Sequence, residues 1–383
     1  MAYAMKSALL SILFFFSPLA LAAPPQPLLP PAPNLFAKGY ALLAYNSGQI
    51  IAQERADQRI EPASLTKLMT AYLSFTALKQ GRITLQQTLP VSEHAWRAEG
   101  SRMFIQPNKP VTVDELLHGM IVQSGNDAAI ALAEGIAGSE DAFVALMNRE
   151  AQRLGMVNTH FMNATGLPHP RHYSTPHDLA LLARAIIRDF PEFYPLYSIK
   201  EYRYNNISQA NRNRLLWQDP YVDGMKTGHT EAAGYCLVSS AKRGQTRFIS
   251  VVVGADSDHL RASESQKLLN YGFQYFETYR PYAKNQVIAS LPVWKGSEHV
   301  LKAGLADDLF VTVPRGQYGQ IAATLVSRQP LLAPLSIGQT VGTLRISLDG
   351  KIIAEHDLVA LDNVSVANMF GRAWDNLRLM VGK

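Results

Sequence analysis

Apolar positions change their period along this chain, and each period predicts a different element. Residues 40–45 are apolar, the polar triplet Asn46-Ser47-Gly48 breaks the run, and Gln49-Ile50-Ile51-Ala52 resumes it, a β-hairpin pattern. After Glu61-Pro62-Ala63 the apolar residues Leu65, Leu68, Met69, Tyr72, Leu73 and Phe75 cover more than one helical face as far as Gly81, which predicts a buried central helix. Pro62 is tolerated in a first turn but not in a helix interior, so Ser64 falls at or near the helix start.

The middle of the chain reads as a helical cluster. Thr112-Val113-Asp114-Glu115 is a capping box opening a helix that carries Leu116, Leu117, Met120 and Ile121 on one side. The polar break Gln123-Ser124-Gly125-Asn126-Asp127 separates it from a second helix over residues 128–136, with Asn126 or Asp127 expected as cap and Gly125 as the permissive backbone position. Ser139 and Thr175 head two more helices, the first stopped by Gly155, the second carrying Leu179, Leu182, Ile186 and Ile187 inward. Residues 222–230, 234–241 and 246–253 then read as sheet strands, with Lys226-Thr227-Gly228 at a sheet edge.

A helix is expected around residues 263–279, and the composition shifts after it. Residues 287–361 are short alternating stretches with turns at Pro314-Arg315-Gly316 and Leu348-Asp349-Gly350, the pattern of a small β-domain. Val366, Phe370, Ala373, Trp374, Leu377 and Val381 recur at helical spacing, with Arg372, Asp375, Asn376 and Arg378 on another face. That amphipathic helix suits a membrane surface rather than a span. At the other end, Lys6, the apolar run 8–16 and Ala20-Leu21-Ala22 form a secretory signal peptide cleaved after Ala22, followed by a Pro-rich spacer. The expected organisation is therefore a signal peptide (1–22), a spacer (23–35), a first domain (36–282), a β-domain (283–362) and a surface helix (363–383).

Composition adds three limits. With 383 residues the chain can bury two domain cores, and its single cysteine, Cys236, excludes an intramolecular disulfide. An exported chain without disulfides suits a bacterial envelope. The net charge of +5 comes with no dense Lys/Arg block, so nothing points to nucleic acid, although anionic lipid or cell-wall polymer suits such a balance.

The candidate chemistry starts at Ser64 and Lys67. Residues i and i+3 are neighbours on a helix, so a hydroxyl nucleophile stands beside an amine base. A free lysine has a pKa of about 10.4, so a working base requires burial, a nearby cation or the helix dipole to lower it. At the sheet edge, Lys226 and Thr227 can meet a carboxylate, while Gly228 leaves room for close backbone approach. His169, His172 and His177 invite a metal reading, but Pro168, Pro170 and Pro176 break the stretch and no acidic or cysteine ligand pattern accompanies it.

Ser-X-X-Lys, Ser-X-Asn and Lys-Thr-Gly in this order are the signature set of penicillin-binding proteins and class A β-lactamases. With Tyr45-Asn46-Ser47-Gly48, His172-Tyr173-Ser174-Thr175 and Val222-Asp223-Gly224-Met225 around these motifs, nearly the whole mature chain resembles the D-alanyl-D-alanine carboxypeptidases of the penicillin-binding protein 5 and 6 type. The resemblance implies an α+β fold: a β-lactamase/transpeptidase-like domain of antiparallel sheet with a helical cluster, followed by a small β-sandwich-like domain and a C-terminal amphipathic helix. It implies Ser64 as nucleophile, Lys67 as base and Ser124 as proton relay, with no cofactor and no metal. Asn126 would hold the substrate amide, Ser64 and His229 would supply oxyanion-hole N–H groups, and Lys226, Thr227, Gly228 and Arg212 would bind the terminal carboxylate region. The implied partners are peptidoglycan stem peptides ending in D-Ala-D-Ala, β-lactams as covalent inhibitors, and the periplasmic face of the inner membrane. A D,D-endopeptidase and a non-catalytic β-lactam-binding scaffold are the alternatives. The β-lactamase reading requires a deacylating glutamate in a Glu-X-X-Leu-Asn loop, and none occurs among Glu134, Glu140, Glu150 and Glu192.

Overall fold

A computed structural model describes residues 29–381; the expected signal peptide, the start of the expected spacer and the last two residues of the expected surface helix lie outside the described residues. Strands β1 (Gly39–Ala44) and β2 (Ile50–Glu54) form the expected hairpin. A 3-10 turn, Ala63–Thr66, leads into α1 (Lys67–Lys79), whose residues 67–75 are all buried. The short elements β3 (Thr88–Leu89), α2 (Glu93–Trp96) and β4 (Val111–Thr112) lead to α3 (Val113–Val122), α4 (Asn126–Ala137), α5 (Glu140–Arg153) and α6 (Pro176–Asp189). The caps are those expected: Thr112 and Glu115 bond reciprocally, and the Ser139 and Thr175 hydroxyls accept backbone N–H groups of α5 and α6.

The hairpin β5 (Glu201–Tyr204) and β6 (Ile207–Ala210) and the single turn α7 (Leu215–Gln218) precede β7 (Val222–Thr230), β8 (Gly234–Arg243) and β9 (Thr246–Ala255). The main sheet is antiparallel in the order β2-β1-β9-β8-β7, so β7 is an edge strand. Alternate residues serve two cores. Leu43, Val238, Ile249 and Val251 join α1, α3, α4 and α6 on one face, while Leu42, Leu237, Phe248 and Val252 meet α8 (Asp258–Tyr275) on the other. Helix α8 starts at the Ser257 cap, ahead of the expected position, because buried Arg261, Glu264 and Ser265 interrupt its apolar period.

Residues expected to end that helix instead form β10 (Phe276–Tyr282), which pairs with β13 (Leu309–Pro314). With β11 (Ala289–Trp294), β12 (Val300–Gly304), β14 (Ile321–Ser327), β15 (Leu331–Leu332), β16 (Thr340–Leu348) and β17 (Lys351–Ala360), they build an all-β tail. Its larger sheet runs β14-β16-β17-β12-β11-β15, and Leu309 and Val311 of the β10–β13 ribbon pack with Leu344 and Ile346 of β16. The tail is tied to the first hairpin's turn: Ser47 Oγ lies 2.8 Å from Thr312 Oγ1, and Gln49 Oε1 accepts the Thr312 N–H at 2.8 Å. Helix α9 (Met369–Val381) ends the described chain. Its Asp375 is buried and accepts the Lys295 N–H at 2.6 Å, whereas Phe370 and Trp374 are 88% and 63% exposed.

Candidate active site

Three elements converge at one end of the main sheet. The turn carrying Ser64 is pinned from two sides. Gly166 lies so close beneath it that a Cβ there would collide with the Ala63 carbonyl, and β7 presses on it at Gly228, where a Cβ would stand 3.0 Å from the Pro62 carbonyl oxygen. Gly228 meets a close backbone, that of the turn carrying Ser64.

Lys67, 1% exposed, lies 2.8 Å through Nζ from Ser64 Oγ and donates to the Thr165 carbonyl at 2.7 Å. Burial, followed by the charge of Arg212, brings its pKa down to about 7, against a smaller opposing pull from Asp127. The amine is thus about half neutral at neutral pH, the condition a base beside Ser64 requires. The Thr165 carbonyl is placed by a turn in which Asn163 Oδ1 accepts the N–H groups of Thr165 and Gly166.

Ser124 occupies the break between α3 and α4, and here the structure corrects the sequence. The left-handed residue is Ser124, at φ +63°, while Gly125 has an ordinary φ of −59°. Gly125 is needed for space: a Cβ would meet Asp127 Oδ1 at 2.8 Å and the Met103 amide nitrogen at 3.2 Å. Neither Asn126 nor Asp127 caps α4; Gly125 is its N-cap, without a side-chain bond. Asp127 instead turns its buried carboxylate to the neighbouring loop, accepting the N–H groups of Met103, Phe104 and Ile105 at 2.8–3.2 Å and that of Ala128 at 2.9 Å. Asn126 donates through Nδ2 to the Glu99 carbonyl at 2.6 Å, and its Oδ1 is buried without a partner.

From the edge strand, buried Lys226 donates to Ser124 Oγ at 2.8 Å and to the Thr227 carbonyl at 3.0 Å. Burial first, then the charges of Lys67, Arg212 and Arg261, hold its pKa well below the usual lysine range. Ser64, Ser124, Arg212, Thr227, Gly228 and His229 line one cavity of about 380 Å³, together with Gly100, Ser101, Tyr235 and Arg261. Two arginines, Arg212 and Arg261, line it and no carboxylate does, so it suits an anionic group.

Sequence reasoning missed Arg261, the Thr165 carbonyl and the anchoring role of Asp127. Arg261 is 6% exposed and donates to the Gly228 carbonyl at 3.3 Å. The three histidines are separately engaged: His172 Nε2 lies 2.9 Å from Thr66 Oγ1, His177 pairs with Asp57, and His169 accepts the Arg171 N–H.

Comparison with known proteins gives this geometry a family. The family model described as D-alanyl-D-alanine carboxypeptidase, peptidase S11, matches residues 27–257, more than half of the chain. The chain belongs to the D-alanyl-D-alanine carboxypeptidase family. A second model, the C-terminal domain of penicillin-binding protein 5, matches residues 276–366, beginning where β10 begins. Among carboxypeptidases of this family, DacC of Escherichia coli strain K12 is 43% identical over 373 residues, 95% of this chain and 92% of the relative. The solved structure of penicillin-binding protein 5 from Haemophilus influenzae matches with a TM-score of 0.84 at 43% identity, covering 87% of this chain and 98% of that one. Penicillin-binding protein D2 of Listeria monocytogenes, solved in an ampicillin-bound form, matches at 0.59 and 31% identity over 64% of this chain and all of its own. The α+β architecture with its all-β C-terminal domain is that of the family.

Proposed function

We propose that this carboxypeptidase removes the terminal D-alanine from peptidoglycan stem peptides ending in D-Ala-D-Ala, and that β-lactams acylate the same serine. The observation that carries this reading is the Ser64–Lys67 pair at 2.8 Å, with the lysine's pKa brought to about 7, at a cavity lined by Arg212 and Arg261. Neutral Lys67 takes the Ser64 proton as Oγ attacks the carbonyl of the penultimate D-alanine. The N–H groups of Ser64 and His229 receive the developing oxyanion. Lys226 donates to Ser124 Oγ, and the Ser124 hydroxyl hands its proton to the departing amine as it takes up the proton that Lys67 removed from Ser64. Free D-alanine leaves, and water hydrolyses the ester on Ser64. Arg212, Arg261 and Thr227 receive the substrate's terminal carboxylate, while the unpartnered Asn126 Oδ1 accepts a substrate amide N–H.

Release of D-alanine from a pentapeptide ending in D-Ala-D-Ala, measured with purified protein and a Ser64→Ala control, tests the reading. Activity that persists in the control refutes Ser64 as nucleophile, and no release from the wild type refutes the carboxypeptidase.

The same proposal places the mature chain in the periplasm after loss of residues 1–22, peripheral on the outer face of the cytoplasmic membrane. No helix among the described residues is long and apolar enough to cross a membrane. The exposed rings of Phe370 and Trp374 on α9, with Asp375 of the same helix buried against the Lys295 N–H, support a surface attachment. Co-sedimentation with anionic vesicles that is unchanged by Phe370→Glu and Trp374→Glu would refute it.

A further inference from the structure

The loop between α2 and β4 forms one wall of the cavity and continues beyond it. Gly100 and Ser101 line the cavity, and the Ser101 carbonyl accepts the Asn126 N–H at 2.6 Å. The next residues leave the cavity in a constrained conformation. Met103 and Ile105 are buried completely or nearly so, yet Phe104 between them is 38% exposed and sits at φ +68°. For a bulky side chain this left-handed backbone costs about 1–2 kcal/mol, and it is maintained by the three N–H bonds to Asp127. The fold leaves the ring exposed, three residues along the chain from Ser101 of the cavity wall.

Arg102 stands beside it, with Cζ 5.4 Å from the centre of the Phe104 ring. Its carbonyl is fixed by Gln209 Nε2 at 3.1 Å, but its guanidinium makes no hydrogen bond or ion pair with any described residue. The contrast with the loop's other arginine is direct: Arg97, over the Trp96 ring, is paired with Glu93 at 3.0 Å. Glu99, three residues from Arg102, forms no ion pair with it. A half-buried guanidinium stacked on an aromatic face and left without a counter-ion presents its N–H fork to an incoming carboxylate.

The place of Arg102 in the chain, directly after Ser101 of the cavity wall, points to the part of a substrate that carboxylate belongs to. The terminal carboxylate already has Arg212, Arg261 and Thr227 inside the cavity. What remains outside is the chain on the acyl side of the scissile bond. We propose that Arg102 and Phe104 form a subsite for the residue preceding the two D-alanines, selecting a side chain that ends in a carboxylate. This rests on the carboxypeptidase reading of the same cavity and adds a specificity that reading does not contain.

Two acetylated tripeptides test it, each ending in D-Ala-D-Ala and differing only in whether the first side chain, that of L-2-aminoadipate, ends in a carboxylate or in the corresponding carboxamide. D-Alanine release gives kcat/KM for each. The wild type should prefer the carboxylate by about fivefold, the upper range for a solvent-accessible ion pair. The preference should shrink at raised salt, vanish in Arg102→Leu and return in part in Arg102→Lys. Benzylpenicillin labelling of Ser64 checks that each variant is folded. Equal wild-type rates on the two tripeptides, or a preference that survives Arg102→Leu, overturns the subsite and leaves the carboxypeptidase standing. Release from neither overturns the underlying reading as well.

Discussion

If Lys67 is the base that activates Ser64, acylation must follow the fraction of neutral lysine. A pKa of about 7 makes that fraction about a tenth at pH 6, a half at pH 7 and nine-tenths at pH 8. The second-order rate of Ser64 acylation by a chromogenic cephalosporin, whose own ionisation is constant over this range, should therefore rise about tenfold from pH 6 to 8 and level off above. A lysine with an ordinary pKa of about 10.4 would give a different curve, still rising tenfold per unit through pH 9. Because Arg212 is the second cause of the lowered pKa, Arg212→Gln should move the rising limb to higher pH. Lys67→Arg, which keeps the charge but cannot deprotonate, should lose about 10²–10⁴ in rate, equivalent to roughly 3–5 kcal/mol of transition-state stabilisation. Stopped-flow acylation across the pH series, with refolding checked by circular dichroism, measures all three. A flat profile between pH 6 and 8, or one that climbs without a plateau through pH 9, refutes Lys67 as a neutral base.

Further outcomes follow from the packing around the site. Gly228→Ala places a Cβ 3.0 Å from the Pro62 carbonyl oxygen and should push β7 off the nucleophile's turn, lowering acylation about tenfold for a stability loss of about 1–3 kcal/mol in urea titration. Asp127→Ala strips four backbone N–H groups of their acceptor and should cost about 4 kcal/mol or more by the same titration. His172 is buried and its pKa falls from 6.5 to about 4, chiefly through desolvation, so between those values the unfolded chain binds a proton that the native state refuses. Stability should therefore fall by up to roughly 3 kcal/mol as pH drops from 6.5 to 4, and His172→Gln should remove that part of the acid sensitivity in pH-dependent denaturant melts.

The features legible in the sequence are those whose determinants are local. Each cap at Thr112, Ser139 and Thr175 is written within four residues, and the Ser64–Lys67 pair lies within one turn. Features that were not legible depend on distant partners. Thr165 meets Lys67 across 98 positions, and Arg261 meets Gly228 across 33. At the break before α4 the turn chemistry was misassigned for the same reason. A glycine beside a serine implies that the glycine takes the unusual backbone, but Gly125 is held to glycine by the space that Asp127 Oδ1 and the Met103 amide, 22 residues earlier, leave it, and Ser124 takes the left-handed conformation.

One signal could have recovered part of the missing site. In α1 every residue from Lys67 to Phe75 is buried, and Lys67 is the one charged residue among them. Helix α8 has the same anomaly, with Arg261 and Glu264 at inward positions, and that anomaly is also what obscured the helix's start. A charge in a core position is costly unless something compensates it. Glu264 is compensated by Lys267 at 2.6 Å and the Phe36 N–H, but Lys67 and Arg261 have only carbonyl and hydroxyl partners in the hydrogen-bond network. Buried cations left without carboxylates are stabilised by losing their proton or by gaining an anion. At the Ser64 cavity the first route is the one proposed for Lys67 as base, and the second the one proposed for Arg261 as receptor for the substrate's carboxylate.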